Sequence, residues 1–150
     1  MAEQSAHVIH MLRDMAAKEV ELAAEALANA IKIANESQSK HDMLRDYRQS
    51  YADNLVKSME IGISAESYLN FQNFLHKLDQ AMGGQLEMVE YTKRQVQIQR
   101  ELWQESQRKK LSYDVLSQRS DKRALQAELK KDQKMMDEYA MRISRPVRKE

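Results

Sequence analysis

The sequence predicts an all-α fold in which two long helices form an antiparallel coiled-coil hairpin, with the second helix longer and overhanging the first. No proline precedes Pro146, and only one of the three glycines, Gly62, lies among signals that end one helix and begin another. Charged residues make up 31% of the chain and aromatic residues 6%, a composition typical of long helices. Apolar residues also recur at three- and four-residue steps over most of the sequence.

A single predicted reversal sets the bounds of the two helices. We expect residues 1–150 to form one hairpin, with a first helix over about 5–60, a reversal at about 61–64, a second helix over about 65–144 and a basic tail over 145–150. Gly62 tolerates the left-handed conformation that ends many helices. Ser64 can accept a hydrogen bond from the first free amides of the next helix. Pro146 cannot continue a helix, and so it marks the tail.

The first helix carries an apolar stripe with a polar interruption. Between Asn35 and Asp42 every residue is polar. We expect the seam there to be either loose or closed by side-chain amides and hydroxyls, and to form a local minimum of stability. The predicted stripe comprises Val8, Leu12, Met15, Leu22, Ala26, Ala30, Ile33, Leu44, Tyr47, Tyr51, Leu55 and Met59.

The second helix shows a seven-residue repeat, which is one position of a coiled-coil seam. Its members are Leu75, Met82, Val89, Val96 and Trp103. The pair Gly83–Gly84 lies inside the repeat, and because the repeat continues on both sides we interpret the pair as a soft point within one helix.

No part of the first helix is predicted to pack against the end of the second helix. With a reversal near residue 62 or 63, the numbers of facing residues sum to about 125, so that Ser5 lies near Ser120. Helical apolar spacing continues beyond that point, which predicts an unpaired amphipathic overhang that binds a partner or is disordered when the protein is alone. Its apolar positions are Leu125, Leu129, Met136, Tyr139 and Ile143.

Several function classes are disfavoured. The net charge is +1 and acidic residues are interspersed among the basic clusters, which favours a solvated face over nucleic-acid binding. The sequence contains no cysteine and no run of about 20 apolar residues, and the N-terminus does not resemble a secretion signal, so a cytosolic location is expected. His7 and His10 have helical spacing but no evident third ligand. We therefore predict no catalytic, cofactor or metal site, and no enzyme.

Aromatic and apolar residues near the reversal exceed what one seam can bury. Phe71, Leu75 and Leu78 form one stripe, whereas Phe74 is displaced by about 100° from Leu75. Tyr51 should face Phe74, and Tyr47 should face Leu78. An exposed patch of this kind is typical of a protein contact site.

Three segments resemble the FliJ family of flagellar export proteins: residues 43–51 (MLRDYRQSY), residues 68–78 (YLNFQNFLHKL) and residues 132–140 (DQKMMDEYA). The resemblance implies a small, non-catalytic, cytosolic coiled-coil component of the flagellar type III export apparatus, with a shape similar to the central stalk of rotary ATPases. It also implies a peripheral association with the inner membrane export apparatus through partners.

The resemblance implies three kinds of partner: the hexameric export ATPase FliI, the export gate protein FlhA, and export chaperones. Carried over by residue, the gate-binding surface comprises Leu44, Tyr47, Tyr51, Phe74 and Leu78. By analogy with rotary stalks, the overhang would enter the ATPase ring and bind it through Leu125, Leu129, Met136 and Tyr139. We expect a monomer in isolation. Two alternatives remain, a stalk protein of a virulence type III secretion system and a structural homodimeric coiled coil.

Overall fold

Two helices make up almost all of the computed structural model, which describes residues 2–145. Helix α1 spans Ala2–Ile61 and helix α2 spans Ala65–Ser144. No strand occurs in this part of the chain. The helical hairpin is confirmed, and both helices begin and end within a few residues of the predicted positions. Arg145 forms a bend after α2, while the rest of the predicted tail, 146–150, lies outside the described residues.

The reversal has the local chemistry that the sequence predicted. Gly62 has a φ of +99°, and its N–H donates to the Ser58 carbonyl oxygen at 2.9 Å, which is the bond of a left-handed helix end. The Ser64 Oγ accepts from the Ser67 N–H at 3.1 Å. This bond satisfies one of the free amides at the start of α2, so Ser64 is the N-cap.

The packing divides into two compact units. The hinge unit comprises residues 22–104, and the terminal unit comprises residues 1–21 together with 105–150. In each unit a segment of α1 packs along a segment of α2.

The seam of the hinge unit follows the predicted repeat on α2. Leu75 and Val89 are buried, and the other three members of the repeat are half-buried. The companion positions include buried Leu78 and Thr92. The second-helix seam is therefore confirmed, with a half-polar composition.

The seam on α1 differs from the predicted stripe. Ala30, Leu44, Tyr51 and Leu55 are buried or half-buried as predicted, and so is Leu12 in the terminal unit. The remaining members are exposed, and for them the prediction is wrong. They are Val8, Met15, Leu22, Ala26, Ile33, Tyr47 and Met59.

The reason lies in the residues that occupy the seam of α1. Alanine and serine fill many of the positions that face α2, among them Ala16, Ala23, Ala34 and Ser37. Small side chains are weakly hydrophobic, so a stripe chosen by hydrophobicity alone passes over these positions. Large apolar residues occur on both faces of α1: Leu12, Leu44 and Leu55 lie in the seam, whereas the seven residues named above are exposed.

The polar middle of the α1 seam is closed by an amide and a hydroxyl. The Gln85 Nε2 donates to the Ser37 carbonyl oxygen at 2.9 Å and to the Ser37 Oγ at 3.1 Å. This selects one of the two predicted alternatives. His41, one turn further along, has a buried Nδ1 without a hydrogen-bond partner in the described part of the chain. A buried polar atom without a hydrogen bond lowers stability. The local minimum of stability between Asn35 and Asp42 stays a prediction.

The Gly83–Gly84 pair lies within an uninterrupted α2, as predicted. A Cβ atom placed on either glycine would meet no other atom within 4 Å. The absence of side chains here therefore relieves no steric conflict.

The terminal unit has a small core, and polar contacts join its two helices. Ala16 and Ser117 are its buried residues, and the Ser117 Oγ lies 3.2 Å from His10 Nδ1 and accepts from the Arg13 guanidinium at 3.3 Å. His10 Nε2 lies 3.3 Å from the Asp121 carboxylate. From Asp121 to Ser144 every residue of α2 is exposed. The predicted overhang is therefore confirmed.

Candidate functional site

Four aromatic rings cluster across the two helices of the hinge unit. Tyr51 is the centre of the cluster, with ring centroids 4.5 Å from Phe74 and 5.0 Å from Phe71. Tyr47 packs edge-on against Phe74 at 6.2 Å and also lies 6.4 Å from Tyr51. Tyr51 thus faces Phe74 as the pairing rule predicted. Three of these ring pairs are tilted and one is edge-on, and aromatic contacts of this kind add stabilisation beyond the burial of apolar area.

One side of this cluster is open to solvent. Tyr47 is 53% exposed, and Met43, one turn before it, is 70% exposed. Leu44, Tyr51 and Phe74 are half-buried, with part of each side chain accessible. We call the accessible group the aromatic surface, and its members are Met43, Leu44, Tyr47, Tyr51 and Phe74.

Leu78 does not belong to the aromatic surface. It is only 8% exposed, because it occupies a seam position of α2. Its side chain is therefore not available to a partner in this structure. Met43 was not among the residues predicted from the sequence, and its exposed position one turn before Tyr47 places it beside them.

An ion pair fixes the two helices beside the aromatic surface. Arg48 donates to both carboxylate oxygens of Asp79, through Nε to one oxygen and through a terminal nitrogen to the other at 3.3 Å. This two-point contact joins α1 to α2 at a solvent-exposed position. The hydrogen bond from Arg48 lowers the pKa of the Asp79 carboxyl, and the same bond raises the pKa of Arg48.

The overhang of the terminal unit presents the second uncovered surface. Five apolar side chains lie within a sector of about 80° when residues are placed at about 100° intervals around the helix. All of them are exposed, and Met136 reaches 72%. A shallow depression forms between Met136, Tyr139 and Ile143. We call this group the apolar stripe: Leu125, Leu129, Met136, Tyr139 and Ile143.

The polar cluster at Ser117 resembles a nucleophile relay only in its residue types. Ser117 is 2% exposed, so no substrate can reach its hydroxyl, and Arg13 donates to the same oxygen. These contacts join α1 to α2 and have a structural role. No group of three or more potential metal ligands occurs among the described residues. Likewise, no helix in that range is long and apolar enough to cross a membrane.

Comparison with known proteins gives the family of this chain. The family model described as "Flagellar FliJ protein" matches residues 6–149. The chain belongs to the FliJ family of flagellar export proteins. The flagellar FliJ protein of Escherichia coli K12 is 33% identical over 144 residues, which cover 96% of this chain and 97% of that protein. The flagellar FliJ protein of Salmonella typhi is 32% identical over 145 residues, with the same coverage of each chain.

A solved structure has the same fold. A YscO homolog from Chlamydia trachomatis superposes with a TM-score of 0.72 at 16% identity, over 94% of this chain and 91% of the other. At that identity the likeness concerns the fold alone. The long helical hairpin of this FliJ-family chain therefore has a counterpart among solved structures.

Proposed function

We propose that this FliJ-family chain is a non-catalytic, stalk-like component of the flagellar export apparatus that links the export ATPase FliI to the export gate protein FlhA and binds export chaperones. The observation that supports this best is the presence of an uncovered apolar surface in each of the two units. Large apolar patches that folding leaves exposed are typical of protein contact sites. Two of them on one chain fit a protein that joins two partners.

The aromatic surface is the proposed contact for FlhA. Its rings contact one another, which restricts their rotation, so less conformational entropy is lost when a partner binds. Tyrosine and phenylalanine at the centre of a patch provide much of the binding energy in protein interfaces. Leu78 is buried in the seam one turn after Phe74, and it would affect this contact only through the stability of the hairpin.

The overhang is the proposed contact for FliI. Its apolar stripe has the spacing of a helix face that enters a groove or ring, and no residue of α1 covers it. The seam of each unit closes between α1 and α2 of one chain, which supports a monomer over a homodimeric coiled coil. The chain would then work in the cytoplasm, and it would reach the inner membrane export apparatus only through FlhA and FliI.

The gate contact is tested with a double variant, Tyr47→Ala with Phe74→Ala. We expect affinity for the cytosolic domain of FlhA to fall at least about 30-fold, because two central aromatic anchors are lost. The matched control is Val56→Ala with Met59→Ala, two apolar residues of α1 that are 55% and 53% exposed and lie outside the aromatic surface. Calorimetric titration should give the control the affinity of the wild type. Equal losses in both variants, with helical circular dichroism retained, would refute the assignment.

The ATPase contact is tested with Met136→Ala against Met88→Ala. Both methionines of α2 are exposed, at 72% and 51%, but Met88 lies in the hinge unit, outside the overhang. We expect Met136→Ala to weaken FliI binding several-fold while Met88→Ala leaves it unchanged. Deletion of residues 125–150 should abolish FliI binding and spare FlhA binding. An ATPase pull-down that is unaffected by the deletion would refute the assignment.

A further inference from the structure

Five cations form a continuous stripe on one face of α2 in the terminal unit. Placed at about 100° per residue, they lie within a sector of about 120° and extend for about 22 Å along the helix. All five are exposed, and none of them forms an ion pair within the described residues. We call this group the basic stripe: Arg119, Arg123, Lys130, Lys131 and Lys134.

The acidic residues of the same stretch lie on another face. Asp121, Glu128 and Asp132 fall within a sector of about 40°, roughly 140° from the centre of the basic stripe. Asp132 follows Lys131 directly in the sequence, yet it lies about 100° away around the helix. Within residues 119–134 no acidic residue therefore falls in the sector of the basic stripe. One turn further on, Asp137 and Glu138 do fall in that sector, so the stripe ends at Lys134.

The apolar stripe and the basic stripe lie almost back to back. The apolar stripe is centred roughly 180° from the basic one. Asp121 and Asp132 fall within the sector of the apolar stripe, and Glu128 lies just outside it. Insertion of the apolar stripe into an anionic bilayer would bring those carboxylates to the lipid headgroups and turn the basic stripe away from them. This arrangement disfavours a lipid surface and favours a protein that contacts the helix from two sides.

Resting on the proposed insertion of the overhang into the ATPase, we propose that the basic stripe binds an acidic surface of the same partner that covers the apolar stripe. A helix with its side chains is only about 10–12 Å across, so one partner that surrounds it can contact both faces. The apolar stripe then holds the complex together. The basic stripe steers the overhang into place and fixes its rotation, because complementary charge acts mainly on the association rate and the orientation.

The test uses the full chain with Lys130→Gln, Lys131→Gln and Lys134→Gln combined. Glutamine has nearly the helix propensity of lysine, so the overhang keeps its helix. We expect the association rate with purified FliI to fall on the order of 10-fold at low ionic strength, with the dissociation rate changed less than about 2-fold. The difference should disappear in about 0.5 M salt, where charges are screened within a few ångströms.

The matched control is Lys18→Gln with Lys32→Gln and Lys57→Gln, which makes the same change of net charge at exposed positions on α1. It should associate as the wild type does. An equal loss in both triple variants would overturn the basic stripe as a specific contact. A stripe variant that associates like the wild type at every ionic strength would also overturn it, while leaving the ATPase contact intact if deletion of 125–150 still abolishes binding.

Two further outcomes are decisive. If the deletion binds FliI as the wild type does, both the ATPase contact and the basic stripe proposal fall. If the wild type binds a single-stranded oligonucleotide more tightly than FliI, and the stripe variant loses that binding, the stripe is a nucleic-acid surface and the acidic protein partner is refuted.

Discussion

Replacement of Gly83 and Gly84 by alanine should stabilise the hinge unit. Both glycines lie within continuous α2, and a Cβ on either would touch no other atom within 4 Å. No steric cost therefore opposes the change. The added methyl groups also bury no surface, so the gain comes from the lower entropy of the unfolded chain and from better helix propensity.

The size of the effect follows from those two terms. An alanine in a helix interior is favoured over glycine by up to about 1 kcal/mol, so the double variant should gain about 1–2 kcal/mol in free energy of unfolding. With a urea dependence of about 2 kcal/mol per molar, the unfolding midpoint should rise by about 0.5–1 M. Circular dichroism of the helices in a urea titration measures this shift directly.

Gly62→Ala is the matched control of opposite sign. Gly62 has a φ of +99°, where alanine is strained although space is available, so this variant should lose about 1–2 kcal/mol. A Gly83→Ala, Gly84→Ala variant whose midpoint falls, or rises less than about 0.3 M, would refute the reasoning. It would show that α2 is not a regular helix at the glycine pair in solution.

Two further predictions concern the hinge unit. The pKa of Asp79 is lowered in the folded protein by its bond to Arg48, so the stability that this pair adds is present above the ordinary value of 3.8 and is lost as the pH falls through the folded pKa. Urea titrations of wild type and Asp79→Asn should differ at pH 7 and converge in strong acid; a constant difference would contradict the linkage. Gln85→Ala removes two hydrogen bonds to Ser37 in the seam and should cost about 1–2 kcal/mol, whereas Gln97→Ala, at an exposed site, should cost little in the same assay.

The parts of the fold that the sequence predicted well depend on local chemistry or on a strict period. The reversal needs only a glycine that can adopt positive φ and a serine that can cap, and both are visible as residue types. The α2 seam repeats every seven residues from Leu75 to Trp103 with large side chains. The uninterrupted helix at the glycine pair followed from the same repeat.

The α1 seam could not be read in the same way. Steps of three and four residues can follow two adjacent faces of a helix, and hydrophobicity favours the face with larger side chains. Here the face toward α2 carries Ala23, Ala34 and Ser37, while Leu22 and Ile33 lie outside. Which face of α1 turns toward α2 depends on tertiary packing, and the hydrophobicity of the sequence does not report it. The basic stripe was hidden for a related reason, because neighbours in sequence lie about 100° apart on a helix.

The position of Leu78 matters for how binding defects in this chain are understood. Because it is buried, Leu78→Ala should cost about 2–5 kcal/mol of stability, and any loss of gate binding would follow from that loss of stability. Tyr47→Ala should instead lose binding with little loss of stability. Adding Gly83→Ala and Gly84→Ala to each variant distinguishes a loss of stability from a loss of direct contact. The added stability should restore gate binding to Leu78→Ala but not to Tyr47→Ala. Equal rescue of both would show that Tyr47 also acts through packing, and the aromatic surface would then lose its exposed anchor.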